Sequence, residues 1–355
     1  MSFNKIIEMC IKHGFFKQLN NVHYGCDQFS IQPTAALLLE NLRKEWTKSI
    51  VINKDVTVVL SGEIYEDSLE FVSSLCSEKL PFGVAEIKLE EKNTNKKFRN
   101  LTDFANEPNF KKHFVMMDNY GMTSNFYVSP KDSTQFFHNF QRQRRMWWRK
   151  FSADPGRYSF SDLRNADECQ SVDILSKYNW GKQVLETLTL KKMSNKSIQF
   201  KDGRNTVVPD CIISKANLIE MMVNTVCDAY DEPKFQGKPR PMLHFHRKLA
   251  PYKISFAIDS AKAAGVAELK DLALYLCRQL RDNHVSTLYI PSSYRQKISS
   301  LYQQFDQMGV PYNVVLTDST LKDGIAFLRS RDTTLKEQVH VSDIVKYVEK
   351  LFKNY

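Results

Sequence analysis

Glycine is scarce in this sequence: 355 residues carry twelve, and no two lie closer together than Gly14 and Gly25. A phosphate-cradling loop needs several glycines within a few residues so that backbone amides can approach the phosphates. The P-loop and the dinucleotide fingerprint are both excluded. The seven cysteines (Cys10, Cys26, Cys76, Cys169, Cys211, Cys227 and Cys277) are scattered, with no Cys-x-x-Cys pair. That argues against a zinc ribbon or a disulfide framework and for free thiols in a reducing compartment. No apolar run approaches the ~18 residues of a membrane span; the obvious candidate, Ala35–Leu39, is far too short. A soluble chain with no membrane partner is expected. No serine sits in a Gly-x-Ser-x-Gly elbow. His244 and His246 would put two imidazoles on one face of a strand, but no nearby Asp, Glu or Cys completes a ligand set. Neither metal nor cofactor is expected.

Against those absences stands a surplus of positive charge, 50 Lys and Arg against 40 Asp and Glu, a net +10. Surplus cations suit a polyanionic partner, because neutralising phosphates releases counterions, although a solvated basic surface has the same composition. The length favours two domains, and 42% hydrophobic content supplies their cores. The first twenty residues carry Lys5, Lys12 and Lys17 against one acid, Glu8. They resemble a mitochondrial presequence only in part, and the amphipathic spacing reads better as the first helix of the fold.

Periodicity predicts helices over 3–16, from Pro33 through Trp46 and over 67–79, with a strand at 56–60 between the last two. Strands are expected at 82–89, 113–117 and 126–128, forming an antiparallel sheet because no crossover helix separates them. Ser133 to Phe151 is the clearest amphipathic helix. Phe137, Phe140, Trp147, Trp148 and Phe151 share one face, and Arg142, Arg145 and Arg149 line the opposite one. Arg144 falls within the apolar face and requires a buried partner or an outlet to the edge. Strands at 178–190 and 206–214 follow, with a turn at Asp202-Gly203, then a helix over 217–228. Beyond residue 250 strands at 252–258, 286–290, 312–316 and 325–331 alternate with helices at 266–283, 294–308 and 341–352. That rhythm predicts a compact α/β domain with a largely parallel sheet.

Between the two halves, Lys238 to Ile258 reads as a proline-stiffened junction. The cations Lys234, Lys238, Arg240, Arg247 and Lys248 around it are the better nucleic-acid candidate; the Arg142, Arg145 and Arg149 stripe is the second. The stripe is equally what any surface helix carries. Glu90 and Glu91 are a charged loop edge, since neighbours in a strand point to opposite faces.

Several stretches resemble a known family. Leu249-Ala-Pro-Tyr-Lys-Ile-Ser-Phe-Ala-Ile258 and Asp318–Asp332 resemble the anticodon-binding domain of class II aminoacyl-tRNA synthetases of the glycyl, threonyl and prolyl group. Ala36–Trp46 is similar to the first long helix of a glycyl-type synthetase, and Leu80-Pro-Phe-Gly-Val-Ala-Glu-Ile87 to the strand opening its second signature motif. The implied fold is α+β: an antiparallel synthetase-like sheet with helices over 1–248, then an α/β anticodon-binding-like domain over 249–355. The active-site residues do not carry over. Lys88-Leu-Glu-Glu-Lys-Asn-Thr94 has no Arg-x-Glu after it, and Phe98-Arg99-Asn100 is followed by Leu101 instead of an acid. The glycine-rich strand ending in arginine of the third motif is met only by Gly237-Lys-Pro-Arg240.

Trp147-Trp-Arg-Lys-Phe151, Asn179-Trp-Gly-Lys182, Asp202-Gly-Arg204 with Val207-Val-Pro209, and Leu328-Arg-Ser-Arg-Asp-Thr-Thr334 resemble the accessory subunits of the mitochondrial DNA polymerase, polymerase gamma, of the insect type. That resemblance implies a chain with no reaction of its own. It would bind the polymerase's catalytic subunit and strengthen its grip on primer-template DNA in the mitochondrial matrix, at the nucleoid. Vertebrate members dimerise through a long helical insertion, where this chain has only Glu63–Lys79, so one accessory chain per catalytic subunit is implied in place of a homodimer. Docking is expected on the C-terminal domain through Ile325, Phe327, Arg329, Arg331 and Lys336, unless the two arginines form ion pairs within the domain. An active class II synthetase with a diverged site, or a dead RNA-binding relative of one, are the alternatives.

Overall fold

The computed structural model describes residues 3–19, 27–62, 66–89, 114–116, 120–166, 168–193, 199–202, 205–235, 237–259 and 265–353. They pack as two compact units, each gathering separate stretches of the chain. One unit holds Phe16–Ile31 and Leu42–Asn224; the other gathers Ser2–Phe15, Gln32–Asn41 and Thr225–Tyr355. The N-terminal helix Phe3–Lys12 belongs to the second because its apolar face (Phe3, Ile6, Met9 and Cys10) is buried there.

The first unit is built on a sheet of eight strands. Its order is Val58–Ser61, Phe82–Leu89, Tyr120–Val128, Asp210–Asn217, Gly181–Lys192, Cys169–Tyr178 and Tyr158–Phe160, with Arg164–Ala166 also paired to Cys169–Tyr178. All pairings are antiparallel except that of the first two strands. The expected strand over 178–190 is in fact a hairpin, Cys169–Tyr178 against Gly181–Lys192. Helix Glu66–Leu75 stops earlier than expected, because Ser77 and Glu78 take positive φ and turn the chain. The turn expected at Asp202-Gly203 falls partly on residues outside those described; Phe200–Asp202 and Asn205–Val207 pair across it.

Two layers cover the sheet. Phe82, Val84, Tyr127, Phe200 and Cys211 pack with Val72 on one face. On the other lies the helix Ser133–Lys150, with Phe137, Phe140, Trp147 and Trp148 buried as the sequence requires. Its Phe140 ring meets Phe126 of the sheet at 4.9 Å between centroids.

Arg144, on the same helix, finds its partner in the middle of the sheet. Its Nε donates to Glu186 Oε1 at 2.7 Å and its Nη2 to Oε2 at 3.1 Å. Trp148 Nε1 and Ser214 Oγ donate to the same carboxylate at 2.8 and 2.6 Å. A register shift between Val184 and Glu186 explains why this acid points inward. Before it Gln183 and Leu185 are buried, and after it Glu186, Leu188 and Leu190 are. The extra residue of a bulge re-aims the following side chains to the other face. Lys54 completes the group: its ammonium stands 5.0 Å from the Phe140 ring centroid and donates to Gln143 Oε1. Burial, then repulsion from Arg144, pulls the Lys54 pKa down to about 8.

The second unit holds a five-stranded sheet, ordered Thr287–Tyr289, Ile254–Asp259, Tyr312–Thr317, Ile325–Ser330 and Lys336–His340. It is mixed, not largely parallel: the first two pairings are parallel and the last two antiparallel. Strand periodicity sets its two layers. Ile254, Phe256, Ile258, Val314, Leu316, Ala326 and Leu328 face the helices Val266–Asp282 and Ile344–Lys353. Ala257 faces helix Ile298–Gln307 through Leu301 and Phe305. Strand Lys336–His340 escapes the sequence pattern because, at the sheet's edge, four of its five residues are exposed.

Two expectations follow. Glu186→Gln leaves the Arg144 guanidinium buried beside a neutral partner and should cost about 3–5 kcal/mol, whereas Arg144→Met with Glu186→Leu should fall closer to neutral; urea unfolding of the variants measures both. The folded Lys54 pKa lies below the ordinary lysine value of 10.5, so the unfolded chain binds more protons between them. Stability should therefore rise as pH climbs from about 8 towards 10.5, and Lys54→Met should flatten that part of the pH–stability curve.

Candidate functional site

On the face of the eight-stranded sheet turned away from helix Ser133–Lys150, register aligns Glu86, Thr123, Lys215, Thr187 and Asp173 in one row. Arg164 reaches the end of that row and forks onto Asp173, with Nη2 2.9 Å from Oδ1, where Thr187 Oγ1 also donates at 2.9 Å. Burial acts to raise the Asp173 carboxyl, but the bonds from Arg164 and Thr187 outweigh it and hold the group below its ordinary range. Two acids and two bases make the row neutral, and its one guanidinium is already committed to a carboxylate. A triphosphate needs cations in excess, which this row does not provide; the other cations of the face, Lys88, Lys177, Lys182 and Lys191, lie outside it.

Strand Asp210–Asn217 continues directly into helix Leu218–Ala229. Neither segment contains a glycine or an arginine. Asn217 Oδ1 accepts from the backbone N–H groups of Ile219 and Glu220 at 2.9 and 3.1 Å, so the helix caps itself where an anion would dock. Gly237 and Arg240, the expected equivalents, sit on and beside a small hairpin of Lys234–Phe235 against Lys238–Pro239. The Phe98-Arg99-Asn100 and Glu90/Glu91 positions lie outside the described residues.

The junction cations turn out to be divided. Lys234 and Lys238 are exposed on the hairpin. Arg240 is ion-paired with the fully buried Asp306. Arg247 Nη1 donates to the Leu351 carbonyl at 2.7 Å, and Lys248 is half-buried, its carbonyl accepting from Lys253 Nζ. The segment is held in place by Arg331, which donates to the carbonyls of Leu243, Gly309 and Phe245 at 2.9 to 3.1 Å. It is a structural part of the second unit, not a free crossing. The helical stripe divides likewise: Arg142 is exposed, Arg145 stacks 4.6 Å over Phe160, and Arg149 is half-buried with Nη2 at 3.5 Å from the Tyr158 carbonyl.

The expected docking residues need a sharper correction. Arg329 and Arg331 are 2% and 3% exposed and cannot present charge to a partner. Arg329 forks onto Asp306 with Nη1–Oδ1 at 3.0 Å and Nη2–Oδ2 at 3.1 Å, and reaches Asn313 Oδ1 at 2.7 Å. The ion-pair alternative describes both arginines, since Arg331 Nε also donates to Asp332 at 2.7 Å. Ile325 and Phe327 are half-buried, and Lys336 is exposed. One site was invisible in sequence: His244 lies with Nδ1 3.3 Å from Asp332 Oδ1 and Nε2 3.9 Å from Asp231 Oδ2. Both acids were too far along the chain to be read as its neighbours, although among the described residues no His, Cys, Asp or Glu group forms a metal set. Arg329→Ala should cost about 3–5 kcal/mol by stranding Asp306, while Lys336→Ala should change stability by less than about 0.5 kcal/mol; paired thermal and urea melts separate them.

Residues 256–351 match the family of anticodon binding domains. DNA polymerase subunit gamma-2, mitochondrial, of Xenopus laevis is 30% identical to this chain over 305 residues, which make up 80% of this chain and 63% of the frog protein. The Drosophila melanogaster protein of the same name is 29% identical over 248 residues, 66% of this chain and 67% of the fly protein. Glycine–tRNA ligase of Borreliella burgdorferi is 27% identical over 297 residues, 78% of this chain and 62% of the ligase. The chain spans a little under two thirds of the length of its frog and cattle relatives.

Proposed function

We propose that this chain, a relative of the DNA polymerase subunit gamma-2 proteins, is the non-catalytic accessory subunit of a mitochondrial DNA polymerase. The observation that carries the reading is the self-paired row across the large sheet, in which two acids are balanced by two bases and Asp173 is held by Arg164 and Thr187, together with the helix start capped by Asn217. The names of the relatives supply the partner. In this reading residues 1–248 descend from a synthetase-like catalytic domain and residues 249–355 from an anticodon-binding domain. The chain works in the mitochondrial matrix at the nucleoid.

Its action is coupling. A protein that docks on the catalytic subunit and adds cations near the duplex raises the number of phosphate contacts and slows dissociation, most visibly as salt rises. Lys234 and Lys238, exposed on their hairpin, and Arg142, exposed on its helix, are the candidates that remain free to meet DNA. Docking falls to Ile325, Phe327 and Lys336 on the C-terminal sheet. One accessory chain serves one catalytic subunit, because only Glu63–Lys79 occupies the place of the helical insertion.

Similarity to glycine–tRNA ligase favours a second reading, an active or RNA-binding synthetase relative. Glycine-dependent ATP–pyrophosphate exchange would establish it and end the accessory-subunit reading. The direct test is primer extension by the purified catalytic subunit with and without this chain across a salt series. The expected result is longer products with the chain present, the gain widening as salt increases. Lys234→Glu with Lys238→Glu should shrink that gain and flatten the salt slope by about 2. Unchanged product length at every salt concentration would sink the proposal.

A further inference from the structure

The group formed by Arg240, Asp306 and Arg329 is out of balance. Asp306 is fully buried; its two oxygens accept from Arg329, and Arg240 is ion-paired with the same carboxylate. Arg329 is buried and the Arg240 side chain is only 15% exposed. One carboxylate therefore serves two guanidiniums away from bulk water, and an unpaired charge is costly there. Burial lowers the pKa of both arginines, and for Arg240 repulsion from Arg329 adds to it, the direction expected of cations lacking a counter-ion.

A third cation and an idle hydroxyl stand beside them. The Arg329 guanidinium lies 4.5 Å over the Tyr302 ring and the Lys336 ammonium 5.3 Å over it. Lys336 pairs directly across from Arg329 in the sheet, so the two share a face. The Tyr302 hydroxyl is buried and has no hydrogen-bond partner among the described residues. The surroundings are apolar: Phe235, 48% exposed, lies 5.5 Å from the Arg240 guanidinium, and Phe327 and Ile325 are half-buried on the face of Arg329.

We propose that Arg240, Lys336 and the Tyr302 hydroxyl form a receptor for one carboxylate, an Asp or Glu side chain of the catalytic subunit docked on this sheet. The partner's identity rests on the accessory-subunit reading; the receptor's chemistry does not. Away from water the two guanidiniums lack one negative charge, which one carboxylate supplies, while Lys336 is solvated and needs none. The aromatic and aliphatic rim of Phe235, Ile325 and Phe327 suits a peptide segment, and the exposed Lys234 and Lys238 of the neighbouring hairpin are left for phosphate. The outer edge of strand Lys336–His340, the last of its sheet, leaves room for such a segment to run alongside.

The test uses the full chain in two arms. In the first, melting is followed in succinate against chloride at matched ionic strength. The wild type should melt a few degrees higher in succinate, and both Tyr302→Phe and Lys336→Glu should lose that rise while keeping a wild-type melting temperature in chloride. In the second, affinity for the purified catalytic subunit and for primer-template DNA is measured separately. Lys336→Glu should weaken subunit binding at least tenfold and leave DNA affinity within twofold. A succinate rise that survives in both variants overturns the receptor. Lost DNA affinity with subunit binding intact makes it a phosphate site and overturns the carboxylate assignment. If the wild type fails to bind the catalytic subunit at all, the accessory reading falls and takes the named partner with it, whereas the succinate arm still reads the receptor by itself.

Discussion

A carboxylate buried under a guanidinium organises each unit of this protein. In the first, Glu186 takes four hydrogen bonds from Arg144, Trp148 and Ser214, which locks the long helix to the centre of the sheet. Water is excluded from that contact, so neither charge can be removed singly without stranding the other. The apolar face of the helix supplies most of the burial energy, but hydrophobic contacts are non-directional. The fork onto Glu186 fixes which turn of the helix sits over which strand.

The second unit repeats the device with Asp306 and Arg329, and adds Arg240. The consequence for function is a division of labour among cations. Arginines suit buried pairs because their planar forks match carboxylates, and Arg144 and Arg329 are consumed in this way, while Arg331 is spent largely on backbone carbonyls. The lysines Lys234, Lys238 and Lys336 stay in water. Each buried pair removes one cation and one acid, so the net charge of +10 is hardly changed by it, and the exposed lysines carry more of that charge than their sequence context suggests.

The large sheet follows the same economy of charge. Arg164 is spent on Asp173, and Asn217 occupies the helix start that would otherwise attract an anion. Hydrogen-bonding capacity that could be directed at phosphate is here directed at the protein itself.

The amphipathic helix over 133–151, the alternation of strands and helices after residue 250 and the lack of any glycine-rich cradle are legible from local order, because periodicity and backbone freedom are properties of neighbouring residues. Even the need for a buried partner at Arg144 is visible, from one charge on an apolar face. Its identity is not, because a bulge at residues 184–186 decides which way Glu186 points, and bulges leave no periodic trace. Nor can adjacency in sequence distinguish Arg329, buried onto Asp306, from Lys336, exposed beside it on the same face of the edge strand. Sequence determined the elements and the chemistry they lack. Only the tertiary structure decided which charges are spent inside, since that depends on strand register and on groups dozens of residues apart meeting where water cannot follow.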